Sequence, residues 1–240
     1  MPEIEDIVAS LTSLIRSSTG RERECRKYLK HAREALVEKI VTEFVYVEEE
    51  RRGSLGDTDY VISCRVRDET GTEFVKAYIW ELKAPKYYIF ERDTENRLRP
   101  TKELVQAENQ LLNYVHENRG SDEFKATFGV LHPCEICFGG IIIGRNDTKV
   151  KGEYETEKKN LLFVNALRIR STYFYRPLGI RILTWNFILD YINPSRPPAR
   201  SHVDLGELQA QPLDPGRIVF SSSTSSEIGA MPNEEHRESE

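Results

Sequence analysis

The chain has 240 residues, of which 39% are hydrophobic and 30% are charged, and this composition is typical of a globular protein of one or two domains. It excludes a collagen-like, coiled-coil or wholly disordered chain. No apolar stretch approaches the ~18 residues that cross a bilayer, and the acidic N-terminus is unlike a signal peptide. We therefore predict a cytoplasmic protein without a membrane partner. The net charge of −5 argues against a protein that coats nucleic acid by charge alone.

Composition divides the chain into three parts. Residues 194–240 are rich in Pro, Ser and acidic residues, with eight Asp or Glu against four Lys or Arg, and we expect a flexible tail there. The preceding residues carry a net charge of only −1. We divide them into an N-terminal segment, residues 1–21, and one domain, residues 22–193. A near-neutral domain can still present a basic groove beside an acidic metal site.

The hydrophobic pattern alternates between helical and strand-like spacing. In residues 22–40 one apolar stripe predicts an amphipathic helix whose basic outer face meets solvent. The helices and strands given at the end of this paragraph alternate along the chain, and their order predicts an α/β fold in which a mixed sheet is flanked by helices. The apolar stripe consists of Cys25, Tyr28, Leu29, Ala32, Leu36 and Ile40. After it we predict strands at 42–50, 59–67 and 73–83, a helix at 101–118, a strand at 138–144, a helix at 154–169, a strand at 180–183 and a helix beginning at Thr184.

The segment 59–83 predicts a β-hairpin with a defined register. Its loop Glu69-Thr70-Gly71 fits a type I turn that ends in a left-handed residue, where glycine is favoured. A slip of one residue would break up the apolar face of the hairpin, which supports this register. The predicted pairs are Tyr60 with Trp80, Ile62 with Tyr78, Cys64 with Lys76, Val66 with Phe74 and Arg67 with Glu73.

The same register gathers three charged side chains at one end of the hairpin. Asp59 faces Glu81, with Cβ atoms ~4.5–5.5 Å apart, and Lys83 shares their face because strand side chains alternate. Two carboxylates can bind Mg²⁺ or Mn²⁺, and a nearby lysine can orient or deprotonate a metal-bound water for phosphodiester hydrolysis. A structural Glu–Lys pair on a surface hairpin is the alternative.

The next predicted helix extends this pattern. Asp59, the tripeptide Glu81-Leu82-Lys83 and the stretch Gln110-Leu-Leu-Asn-Tyr114 resemble the D…E-x-K…Q-x-x-x-Y signature of the PD-(D/E)XK nuclease superfamily in its RecB-like form. Gln110 and Tyr114 share a helix face, with Gln106 one turn earlier. More narrowly, the stretches at 80–85, 139–145 and 181–185 resemble Shedu antiphage nucleases. The resemblance covers roughly residues 22–192.

The resemblance implies a restriction-endonuclease-like core and a Mg²⁺-dependent DNA endonuclease that acts in defence against foreign DNA and assembles into a homo-oligomer. It implies Asp59 and Glu81 as metal ligands, with the carbonyl of Leu82 as a further ligand. It also places Lys83 at the attacking water, supported by Gln110. The family's usual Pro before the first Asp is Thr58 here. Asp57 is therefore a rival ligand on the same face, and we favour Asp59 because it leads directly into the apolar strand.

Several other residues are candidates for contact with nucleic acid. The loop predicted after Lys83 contains Arg92, Arg97, Arg99 and Lys102 beside Tyr87 and Tyr88. Cations of this kind bind phosphates and aromatic rings stack on bases, although a solvated mobile loop explains them equally well. The complete set of candidates is Arg99, Lys102, Gln106, Tyr114 and Arg145.

Three further interpretations receive less weight. His132, Cys134 and Cys137 match the P-C-x-x-C half of a zinc deaminase, but the chain has no accompanying His/Cys-x-Glu and no identified fourth ligand. The glycines at 139, 140 and 144 match neither phosphate-loop spacing, so we expect a tightly packed strand and no nucleotide cofactor. A catalytically inactive module that binds nucleic acid or a protein partner is the main alternative function, and the intact Asp, Glu and Lys argue against it.

Overall fold

The computed structural model describes residues 3–37, 41–53, 56–94, 97–193 and 195, and of residues 46–53 and 56–58 it describes the backbone alone. The predicted tail at 194–240 lies outside the described residues except for Ser195, and so does Ile40. Within the described ranges no helix has both the length and the apolar character needed to cross a membrane.

Five strands form one mixed sheet in the order β1-β2-β3-β6-β7. The first three pair antiparallel, and β6 and β7 continue the sheet in parallel with β3. A separate hairpin is formed by β4 and β5. The strands are β1 (Val41–Gly53), β2 (Gly56–Arg67), β3 (Glu73–Leu82), β4 (Phe90–Thr94), β5 (Arg97–Pro100), β6 (Ile136–Ile142) and β7 (Arg181–Leu183).

Helices cover both faces of the sheet, so the predicted α/β class with a flanked mixed sheet is confirmed. Alternate residues of β2 and β3 enter different cores because strand side chains alternate. Val61 and Ile79 pack with α3, α4 and α5, whereas Tyr60 and Trp80 pack with α1 and α7. The helices are α1 (Ile4–Arg16), α2 (Glu22–Arg26), α3 (Lys102–Gly120), α4 (Asp122–Phe128), α5 (Thr156–Arg170), α6 (Arg176–Leu178) and α7 (Trp185–Ile192), and a π-helical turn, Ser171–Tyr175, joins α5 to α6.

The predicted register of the β2–β3 hairpin is confirmed for every pair from Tyr60–Trp80 to Arg67–Glu73. Gly71 has a φ of +85°, as the predicted turn requires. The Asp68 carboxylate also accepts the backbone N–H groups of Thr70 and Thr72, each at 2.9 Å. The turn is therefore held by its own side chain as well as by the left-handed glycine.

The predicted continuous helix at 22–40 is wrong. The α-helix ends at Arg26, and two short 3-10 turns follow at Leu29–His31 and Arg33–Leu36. The backbone carbonyls of Ala35 and Leu36 accept hydrogen bonds from the Arg181 guanidinium, and the Trp80 indole N–H also donates to Leu36 at 3.1 Å. These carbonyls bond to the sheet instead of to a further helical turn. The predicted burial of the stripe is nevertheless confirmed at four of its residues, Cys25, Leu29, Ala32 and Leu36.

Three elements were not predicted. The segment 1–21 contains helix α1, which buries Ile7, Leu11 and Ile15. The predicted mobile loop after Lys83 contains the β4–β5 hairpin, and α4 follows α3 directly, capped by the side chain of Ser121. The loop prediction failed because its alternating charges form cross-strand ion pairs.

Candidate active site

The backbone at the end of β3 is anchored on both sides. The Lys83 N–H donates to the Ile142 carbonyl of β6 at 2.8 Å, which extends the pairing of β3 with β6 beyond its last residue. The indole N–H of Trp185, the first residue of α7, donates to the Lys83 carbonyl at 2.7 Å. Trp80 and Leu82 lie in the core beneath α1 and α7. Because Glu81 alternates with them, its side chain faces α3.

Asp59, Glu81 and Lys83 converge at this strand end, as the register predicts. Asp59 Oδ2 accepts the backbone N–H of Leu82 at 2.8 Å, which brings the carboxylate of β2 across to β3. The Glu81 side chain is only 1% exposed, and the Lys83 ammonium donates to its Oε1. The buried Glu81, the half-buried Asp59 and the Lys83 ammonium therefore share a small volume.

Burial controls the electrostatics of the two acids. It raises the pKa of the Glu81 carboxyl well above its ordinary value, and the nearby Asp59 carboxylate raises it further, against the opposing effect of Lys83. Burial also raises the pKa of Asp59, while the Leu82 N–H and the Lys83 ammonium lower it. The charge of Asp59 disfavours ionisation of Glu81, whereas the hydrogen bond with Glu81 lowers the pKa of Asp59. Lys83 does not offset the effect of burial on either acid.

The second oxygen of Glu81 provides a test of whether the site suits a metal ion. Glu81 Oε2 is buried and accepts a hydrogen bond from no donor among the described residues, although buried polar atoms in proteins nearly always have a partner. The Glu81 carboxyl does interact with the Asp59 carboxyl, but two carboxyls hydrogen-bond only when one of them carries a proton. Mg²⁺ binds hard oxygen ligands and commonly uses one or two protein carboxylates while it keeps several waters. Asp59, Glu81 and the carbonyl of Leu82 fit this donor set. Among the described residues no group of three His, Cys, Asp or Glu forms a richer ligand set.

Gln110 connects the strand end to helix α3. Its Oε1 accepts from Lys83 Nζ at 2.8 Å, and its Nε2 donates to the Tyr114 hydroxyl at 3.3 Å. Thr101 caps α3 by accepting the Leu104 N–H, which defines where the helix begins and hence which residues face the sheet. The expected contact of Tyr114 with nucleic acid does not fit its burial, since the residue is 3% exposed and its ring lies in the core. Tyr114 instead supports Gln110.

Sequence analysis missed Arg26. We expected this residue on a solvated helix face, but it is only 5% exposed. Its guanidinium lies 3.4 Å from the Asp59 carbonyl oxygen, and its charge lowers the pKa of Asp59. The sequence contained one signal for Arg26, which directly follows Cys25 of the predicted apolar stripe. A basic side chain at such a position needs a partner when tertiary packing covers it.

The remaining candidates for nucleic-acid contact fall into two places. Arg99 on β5 pairs with Glu91 at 2.9 Å, and it lines one groove together with Lys102, Gln106 and Gln110. Lys102 begins α3, and its side chain and that of Gln106 are exposed. Gln106 lies on the helix where it was predicted, and Arg99 lies on a hairpin strand and not on the loop that we expected.

Arg145 lies elsewhere and is fully engaged. Its guanidinium donates to Asp147 at 2.7 Å and to the Ile15 carbonyl, near the end of α1, at 2.6 Å. The residue therefore fastens α1 to the segment after β6. The rival ligand Asp57 has its backbone paired with Arg52, but its side chain lies outside the described part of the chain.

The glycines and the cysteine pair have structural surroundings. A Cβ at Gly139 would lie 2.3 Å from the indole nitrogen of Trp80, so this position allows the strand and the ring to approach closely, as the tightly packed strand predicts. Cys134 is exposed and Cys137 is half-buried, whereas Cys25 and Cys64 are buried.

The three charged groups at the end of β3 have no counterpart in a recognised relative. No family model matches the chain, and no curated protein sequence is significantly similar to it. Geometry and charge are therefore the grounds for assigning a function.

Proposed function

We propose that the protein is a Mg²⁺- or Mn²⁺-dependent endonuclease that hydrolyses DNA phosphodiester bonds on a PD-(D/E)XK-like core. The observation that carries this proposal is the buried Glu81 carboxyl, which has one oxygen that no hydrogen-bond donor among the described residues reaches and which lies beside Asp59 and Lys83. The mixed sheet flanked by helices supports it as a compatible scaffold. Defence against foreign DNA and homo-oligomeric assembly in the cytoplasm belong to the same proposal, because the family resemblance implies them.

Asp59 and Glu81 would hold the ion, with the Leu82 carbonyl as a further ligand. A bound ion of this kind lowers the pKa of a water molecule and offsets the negative charge that develops on the phosphate oxygens. The protein contributes a preorganised site, since the Asp59 carboxylate is already fixed by the Leu82 N–H. Fixed charges need little reorganisation during the reaction.

Lys83 is the residue that we assign to the attacking water. Glu81 and Gln110 hold its ammonium from two sides, and the side chain keeps 13% of its surface exposed. It is therefore oriented and still accessible from the solvent side of the site. A positioned lysine can hold a water or a phosphate oxygen through its N–H groups. Gln110 and Tyr114 restrict the directions in which this ammonium can point.

The test compares cleavage of single- and double-stranded DNA by the wild type and by Glu81→Gln and Lys83→Met, with Mg²⁺, Mn²⁺ or EDTA. Glu73→Gln is the matched control, because this carboxylate is also ion-paired but lies at the other end of β3. We expect metal-dependent cutting by the wild type and the control, and background cutting by both site variants. Wild-type cutting by folded Glu81→Gln and Lys83→Met would refute the assignment.

A noncatalytic module is the second candidate, and one observation favours it. The hydrogen bonds from Lys83 and from the Leu82 N–H satisfy most of the cluster internally, as in a structural ion-pair network. Calorimetric titration with Mn²⁺ separates the two functions. A nuclease site takes up the ion and loses it in Glu81→Gln, whereas a purely structural network gives no heat of binding.

A further inference from the structure

A groove of about 580 Å³ lies beside the proposed catalytic cluster. One wall is the exposed face of α3 from Lys102 to Asn113, and the other is formed by the β4–β5 hairpin through Arg99 and Pro100. Gln110 belongs to both places, since it lines the groove and its Oε1 accepts from Lys83. A ligand in this groove would therefore extend directly to the end of β3.

Side-chain amides dominate the helical wall of this groove. Gln106, Asn109 and Asn113 are exposed, and their spacing of three and four residues places them with Gln110 along one side of α3. Among the described residues no side chain or backbone group bonds to these three amides. Each of them therefore offers a free donor and a free acceptor to a ligand.

Few cations line the groove. The Arg99 guanidinium pairs with Glu91 at 2.9 Å, and Glu91 is shared with the Lys151 ammonium at 3.9 Å. Lys102 contributes one further cation at the same end. Proteins that bind mainly phosphates use several cations, whereas Asn and Gln amides form paired hydrogen bonds with base edges. The chemistry of this groove therefore favours a base over a phosphate backbone.

The shape of the groove also restricts its occupant. It is open to solvent, and its volume falls within the range of about 300–1,000 Å³ that is common for small-molecule sites. A paired base presents only its groove edges, whereas an unpaired base can expose its whole edge to hydrogen bonds. A groove of this volume can hold one base but cannot enclose a stacked duplex.

We propose that this groove binds an unpaired nucleobase of the DNA strand next to the scissile phosphate, and that the amides of Asn109 and Asn113 select the base. This inference rests on the proposed nuclease function and adds a substrate class to it, namely DNA with an unpaired stretch at the cut. Apolar contact with the base comes from Val105 and Pro100 in the same groove.

The test measures fluorescence anisotropy of labelled single strands that differ in one central base, in EDTA so that no cleavage occurs. We expect the wild type to discriminate between bases by about 5-fold or more, because one bidentate amide contact contributes roughly 1–3 kcal/mol of discrimination. The double variant Asn109→Ala/Asn113→Ala should bind all bases within about twofold of each other, as expected when that contact is lost. Asn165→Ala on α5, outside the groove, is the control and should keep the wild-type preference.

Base-indifferent binding by the wild type, a preference that survives in the double variant, or tighter binding of a duplex than of a single strand would each overturn the groove proposal. Its failure is distinguishable from failure of the nuclease proposal. If the wild type cuts DNA in a metal-dependent way and the double variant keeps the base preference, only the groove assignment fails. If the wild type selects a base but never cuts DNA, and the double variant loses this selection, the groove assignment stands and the nuclease proposal fails.

Discussion

Substitution of Trp185 by Phe tests whether the protein positions Lys83 through its backbone. The indole N–H donates to the Lys83 carbonyl at 2.7 Å, and the side chain is fully buried. Phe keeps an aromatic ring in the core but has no N–H group. Lys83 would keep its bond to Ile142 and lose its anchor on α7.

The magnitude follows from these contacts. An acceptor that loses its partner away from water costs about 1–3 kcal/mol, and the smaller ring leaves a cavity that adds about 1–2 kcal/mol. We expect the free energy of unfolding to fall by about 2–5 kcal/mol. If about 1.4 kcal/mol of this loss affects the position of Lys83 in the reaction, cleavage becomes about tenfold slower.

Urea unfolding followed by circular dichroism measures the stability, and single-turnover DNA cleavage measures the rate at a temperature where each variant is folded. Ile188→Ala is the control, because Ile188 is also fully buried on α7 and its truncation costs about 2–5 kcal/mol without touching Lys83. Equal cleavage rates for Trp185→Phe and the wild type, despite the expected loss of stability, would refute the positioning role.

Two further predictions concern the body of the protein. Gly140 has a φ of +150°, and a Cβ there would lie 2.1 Å from the Arg181 carbonyl oxygen, so Gly140→Ala should lower stability by about 3 kcal/mol or more in urea unfolding. Gly120→Ala, which meets nothing within 4 Å, should keep or raise stability. At pH 8 a thiol reagent should modify the exposed Cys134 rapidly but spare Cys25, whose pKa burial raises to about 12. Mass mapping that finds Cys25 labelled as fast as Cys134 would contradict this burial.

The β2–β3 hairpin could be predicted because its determinants are local. The left-handed Gly71 and the alternation of apolar residues define one register, and the structure has that register throughout. Once the register is known, alternation places Asp59 and Glu81 on one face without further information. The hydrogen bond from Leu82 to Asp59 is the tertiary consequence of that local pattern.

The segment after Arg21 could not be predicted in the same way, because long-range partners determine its structure. Its apolar stripe correctly indicated which residues are buried, but periodicity does not show where backbone carbonyls find their donors. Arg181, far along the chain, binds the carbonyls of Ala35 and Leu36. Tertiary hydrogen bonds of this kind override helix propensity. The groove lined by Asn109 was likewise hidden, since its second wall is a hairpin that was predicted as a loop.

The proposed cation site accounts for a cluster that contributes little to stability. Lys83 contacts Glu81 and the charge of Arg26 acts on Asp59, yet burial still raises the pKa of both carboxyls. Buried ion pairs often stabilise a fold less than apolar packing would, and an oxygen of Glu81 that no described donor reaches adds a further penalty. A divalent ion would supply the positive charge and the ligand bond that this carboxylate lacks. Unfavourable burial of carboxyls, here where β2, β3 and α3 meet, is typical of a site that is retained for its chemistry.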